Sequence, residues 1–171
     1  FVSPTDGLIE SNNYITTATL TIADDDALTF TANDITTTSD GAYDVHVGDI
    51  DNDGDLDIVA ASEVDNRIGW YENNGAADPT WTFISIATSA QSARDVHVAD
   101  MDGDGDLDIV SASSGDHTIA WYENNGADNP SFTAADIVTN ASSAQDVHVA
   151  DIDGDGDLDI VSASYGDDTI A

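Results

Sequence analysis

Apolar and polar residues alternate in short runs along most of the chain. Val45 and Val47 flank His46, Leu56, Ile58 and Ala60 occupy every second position, and Trp81 and Phe83 lead into Ile84 and Ile86. Period two marks a strand with one face buried, and no window carries the 3.6-residue spacing of an amphipathic helix. The pattern predicts strands over 44–48, 56–62, 67–72 and about 81–88, separated by turns rich in Asp, Asn and Gly. Asn74-Gly75 and Asn125-Gly126 mark the loop between the third and fourth runs.

These runs recur. Asp44-Val45-His46-Val47 returns at Asp95 and again at Asp146, and Trp70 to Ala76 returns as Trp121 to Ala127, each time after 51 residues and without insertion. A fixed period of this length means one supersecondary unit stacked by one operation. Four strands per unit predict an all-β fold of β-propeller-type blades, each a four-stranded antiparallel sheet that buries its faces against its neighbours. The expected organisation is a short β segment over 1–26, a lead-in region over 27–43 with a lone strand at 30–36, repeats over 44–94 and 95–145, and a truncated repeat over 146–171. Because Asp168-Thr169-Ile170-Ala171 stops midway through a pattern seen complete earlier, the chain reads as a segment of something longer. The expected partners are therefore further repeats of the same or a neighbouring chain, and an open sheet edge allows a filament.

Composition narrows the chemistry. The 171 residues include 35 Asp+Glu, 2 Lys+Arg and no Cys, for a formal net charge of −33, while 40% are hydrophobic, enough for a core. Binding a phosphate backbone or an anionic lipid surface requires basic residues, and only Arg67 and Arg94 exist, so nucleic-acid partners are excluded. No apolar run approaches the roughly 18 residues of a membrane span, so no membrane insertion is expected. Without thiolates, any metal must be held by oxygen or imidazole.

Oxygen is supplied in a repeated arrangement. Asp49, Asp51, Asp53 and Asp57 stand at positions 1, 3, 5 and 9 of an acidic loop with Gly54 at position 6; Asp100, Asp102, Asp104 and Asp108 repeat it, as do Asp151, Asp153, Asp155 and Asp159. Alternate residues of a tight loop aim their carboxylates at one centre, and position 7 (Asp55, Asp106 or Asp157) offers its backbone carbonyl. Ca²⁺ takes six to eight such oxygens, whereas Mg²⁺ demands stricter octahedral geometry. Empty, each loop sets like charges against one another; a divalent ion turns that repulsion into attraction. About three Ca²⁺ ions are expected, one per loop. An EF-hand is disfavoured because Ala60, Ser111 and Ser162 stand where a bidentate Glu is required.

The run Val-x-Val-x-Asp-x-Asp-x-Asp-Gly-Asp-Leu-Asp-Ile-Val at 45–59, 96–110 and 147–161 resembles the FG-GAP/VCBS repeat family, over about 30–171. That resemblance implies an integrin-α-like β-propeller with Ca²⁺ loops between the first two strands of each blade, and it implies the same fifteen aspartates as ligands. The phenylalanine-glycine and glycine-alanine-proline signatures of the integrin repeats are absent, which places the chain nearer the bacterial VCBS-like branch. Upstream, Tyr14 to Ile22 followed by Ala23-Asp24-Asp25-Asp26 resembles the last strand and acidic end of a Calx-β-type sandwich domain.

Other recurrent residues read as structural. His46, His97 and His148 share one place in a strand, which points to packing or a strand-edge hydrogen bond, while His117 reads as solvated. Trp70 and Trp121 suit the space between sheets, with one aromatic of each Trp-Tyr pair facing outward; as ligand-binding residues they would stack on a sugar. No acid–base or nucleophile arrangement stands out, so no enzyme is expected. The sequence thus predicts a non-catalytic, calcium-binding, extracellular or cell-surface module, a scaffold or adhesion surface within a larger secreted protein. The alternatives are a carbohydrate-binding, lectin-like propeller with glycans or other surface proteins as partners, and an accessory domain of a secreted hydrolase.

Overall fold

The computed structural model describes residues 32–171, of which Asp34–Ala171 form one compact unit. The expectations for residues 1–26, and for Phe30 and Thr31, lie outside the described residues.

Among the described residues eleven strands build three antiparallel sheets, each paired in chain order. The first contains β1 (Ala42–Gly48), β2 (Asp57–Ser62), β3 (Arg67–Asn73) and β4 (Trp81–Ala87). The second repeats it as β5 (Ala93–Ala99), β6 (Asp108–Ser113), β7 (Thr118–Asn124) and β8 (Phe132–Val138). The third contains β9 (Ala144–Ala150), β10 (Asp159–Ser164) and β11 (Thr169–Ile170). The 51-residue period is kept even in irregularities: the β1/β2, β5/β6 and β9/β10 ladders each slip beside the residue preceding the Asp-Val-His-Val motif. These are propeller-like blades, as the period predicts.

The sheets stack face on face, with β5 beside both β1 and β9. Between the first two, Ile50, Val59, Ala61, Ile68 and Trp70 pack against Val96, Val98, Ile109 and Tyr122. Between the next two, Val110, Ala112 and Ile119 meet Ala144, Val147 and Val149. The middle sheet is therefore covered on both faces, and β6 is buried throughout. Outer strand β8 is exposed along most of its length.

Two expectations require correction. The lone strand at 30–36 is not formed over its described part, 32–36, because a strand exists only against a paired neighbour and the first sheet begins with β1. Nor does one aromatic of each pair face outward: Trp70, on the face packed against the second sheet, is 1% exposed, and Tyr71, on the opposite face, is 5% exposed because Phe83 of its own sheet covers it. Tyr71 packs on Phe83 with ring centroids 5.2 Å apart. Tyr122 is buried and Trp121 is half-buried against the second core. Trp70 offers no ring face to a sugar.

Both arginines are paired. Arg67 binds Asp65 at 2.9 Å and lies over the Phe83 ring. Arg94 reaches from the second sheet to Glu63 of the first at 2.6 Å and lies over Tyr43. The bulk of the negative charge is left without a basic partner, and 15 of the 35 acidic residues stand in the loops leaving β1, β5 and β9.

Candidate metal centres

Each acidic loop is the tight connection from the first strand of a blade to its second. Its winding follows from its own side chains. The position-1 carboxylate accepts the position-6 glycine N–H at 3.1 Å in all three loops: Gly54 to Asp49, Gly105 to Asp100, Gly156 to Asp151. Position 3 accepts from the N–H of position 5 at 3.1–3.2 Å, and position 5 from that of position 7 at 2.8–2.9 Å. Gly54, Gly105 and Gly156 have φ between 96 and 100°, which a side chain resists.

This winding brings carboxylates together. Oxygens of Asp49, Asp51 and Asp53 lie within 4.8 Å of one another, as do those of Asp100, Asp102 and Asp104; in the third loop the group is Asp151, Asp153 and Asp159. Burial raises the pKa of Asp51, and the neighbouring Asp53, Asp57 and Asp49 charges raise it further. In the first loop Asp49 Oδ1 is buried and has no hydrogen-bond partner. Its counterparts, Asp100 Oδ1 and Asp151 Oδ1, accept the N–H groups of Gly103 and Gly154 at 2.9 and 2.7 Å. An orphaned carboxylate oxygen beside two further carboxylates fits a hard cation.

The ninth-position aspartates brace the loop against the blade. Asp57 is fully buried and accepts from Ile50 N–H at 3.2 Å and Asn73 N–H at 2.8 Å. Asp108 does the same with Met101 and Asn124, and Asp159 accepts from Ile152 at 3.0 Å. Burial raises the pKa of Asp57 and Asp108, while these N–H groups oppose the rise. The indole nitrogens of Trp70 and Trp121 also lie near enough to favour the ionised form, although neither completes a hydrogen bond of ordinary geometry. In the first two loops the position-7 carboxylate lies against the loop between the third and fourth strands: a Cβ on Gly75 or Gly126 would collide with Asp55 or Asp106.

Sequence reading missed three residues. Asn73 and Asn124 stand in the recurring Trp70–Ala76 and Trp121–Ala127 runs with no role of their own in the sequence reading, yet Asn124 Nδ2 donates to Leu107 O at 3.1 Å and, across the blade boundary, to Ile50 O at 2.9 Å. The first Asn of the Asn-Asn-Gly motif thus ties the acidic loop to the loop between the third and fourth strands. Its recurrence beside a second Asn was the only available signal. The third, Asn52, donates its Nδ2 to Asp106 Oδ1 at 2.7 Å, linking the first two loops.

Residues 49–111 and 100–162 each match the FG-GAP-like repeat family, and each match opens on the first aspartate of a loop. The chain belongs to that family. None of the curated proteins compared with it matches. Among the described residues no helix is long and apolar enough to cross a membrane.

Proposed function

We propose that the chain is a calcium-stabilised, non-catalytic repeat module of an extracellular or cell-surface protein, serving as a stiff scaffold or adhesion surface. The observation that carries this reading is Asp49 Oδ1, buried without a partner inside a carboxylate cluster that recurs in all three loops. Positions 1, 3, 5 and 9 with the position-7 carbonyl would hold one Ca²⁺ per loop. The ion would supply charge neutralisation and a rigid joint between the first and second strands of a blade, and extracellular calcium at millimolar level suffices to fill even weak loops. Further repeats, from this chain or a neighbouring one, are the partners that stacked blades call for.

The test is thermal unfolding of the full chain in saturating Ca²⁺ and in excess chelator. Binding to the native state alone at about a hundred times Kd contributes about 2.7 kcal/mol per site. The expected rise in midpoint is about 5–10 °C for one site of that strength. An unchanged midpoint removes the reading.

A further inference from the structure

The inner edges of adjacent blades are not joined by a β-ladder. Side-chain acceptors take the backbone N–H groups instead. At the first joint, Asp44 Oδ2 accepts Val96 N–H at 3.1 Å, His46 Nδ1 accepts Val98 N–H at 3.3 Å, and Asn66 Oδ1 accepts Ser92 N–H at 2.8 Å. At the second, Asp95 Oδ2 accepts Val147 N–H at 2.6 Å and His117 Nδ1 accepts Ser143 N–H at 3.0 Å. His117 is exposed, as expected, and is also a tie between blades. It occupies the same left-handed turn position as Asn66, with φ of 62° against 54°.

These acceptors differ in what a proton does to them. A carboxyl group keeps an acceptor oxygen after protonation and an amide does not titrate, but an imidazolium has only donors. We infer that the histidines make the joints between blades acid-labile, at His46–Val98 in the first and at His117–Ser143 in the second. Protonation at either place removes the acceptor and leaves two donors facing each other.

The surroundings reinforce this. His97 stands beside His46 with ring centroids 4.6 Å apart, and His148 beside His97 at 5.0 Å, so a second positive charge in the column meets a first. Burial lowers the pKa of His97, and His46 and His148 lower it further, against the opposing pull of Asp44. Across the ladders, His46 faces Val59 and His97 faces Val110, neither of which titrates. Asp44, Asp95 and Asp146 form the neighbouring column on the same three strands. Around His117 the charged neighbour in the chain is Asp116, and the segment it ties, 139–143, carries no charge.

The molecule contains its own controls. Amide hydrogen exchange is measured by NMR on the calcium-saturated full chain from about pH 7.5 down to about pH 5.5, with rates corrected for the intrinsic effect of pH. Protection of Val98 and of Ser143 each falls about tenfold relative to Ser92, whose acceptor, the Asn66 amide, does not titrate. His117→Asn, which installs the residue of the preceding repeat at a compatible φ, abolishes the fall at Ser143 and leaves that at Val98. Protection ratios that stay constant while the histidine resonances titrate overturn the inference, as does a His117→Asn chain in which Ser143 still loses protection. Calcium is saturating throughout, so a loop that fails to bind metal shows itself separately, in the chelator experiment.

Discussion

Asp95 shows how a single carboxylate can work against its own joint. Burial pushes its pKa up to about 7, and the adjoining Asp44 carboxylate, which shares a hydrogen bond with it, and Asp146 add to the rise. In the unfolded chain the same group titrates near 3.8. Between those values the folded protein holds a proton that the unfolded chain has released. The stability contributed by Asp95 is therefore present in acid and lost as the pH rises through about 7. Asp95→Asn keeps an acceptor for Val147 and removes the charge. It should raise the unfolding midpoint above that of the parent chain most at about pH 8 and by about a third as much at about pH 5; equal differences at both would contradict the assignment. The histidine joints respond in the opposite sense, so the two kinds of acceptor partly offset each other across the neutral range. Spacing alone made the acidic loops legible, because alternate carboxylates closed by a glycine have few other uses. It could not show that His117 bridges blades, since an exposed His, Asn or Asp at a turn looks the same whether its acceptor meets water or a neighbouring N–H.

At the scale of strands, one sequence pattern meets two environments. Val47 and Val98 occupy equivalent positions in β1 and β5, but Val47 is 51% exposed and Val98 is 8% exposed. The difference lies in the neighbour: Val98 packs on the first blade, whereas Val47, with Val45, Ile58, Ala60 and Tyr71, lines an open apolar hollow of about 250 Å³. Val98→Ala should then destabilise by about 2 kcal/mol. Val47→Ala should change stability by less than about 0.5 kcal/mol. Denaturant titrations of the two variants read this directly, and equal losses would mean that the first face is covered in solution. Alternation in the sequence correctly located β1 to β10 because the local period survives any packing. Whether a given face is inside could not be read, since that depends on how many sheets are stacked. The strand expected at 30–36 failed over its described part for the same reason: its residues suit a strand, and no paired edge is offered to it.

Across the whole molecule the unbalanced charge decides which conditions the fold tolerates. Two arginines, both already paired, stand against 35 acidic residues, and three divalent ions would offset only six of the 33 net negative charges. What matters is where those ions act. Carboxylates within 4.8 Å repel by about 1 kcal/mol per pair in a water-like dielectric and by several-fold more where water is thinned out, as at the half-buried Asp49. Exposed charges more than about 8 Å apart are screened at physiological salt. The loops therefore concentrate the repulsion that a chelated chain must bear, and they bear it at the joints between first and second strands. Sodium chloride can weaken that repulsion without replacing a coordinated ion. In chelator, raising the salt from about 0.05 M to about 1 M should recover part of the midpoint lost with calcium; in saturating calcium the same salt should move it little. A salt response of equal size in both conditions would place the destabilising charge on the blade surfaces instead of in the three loops.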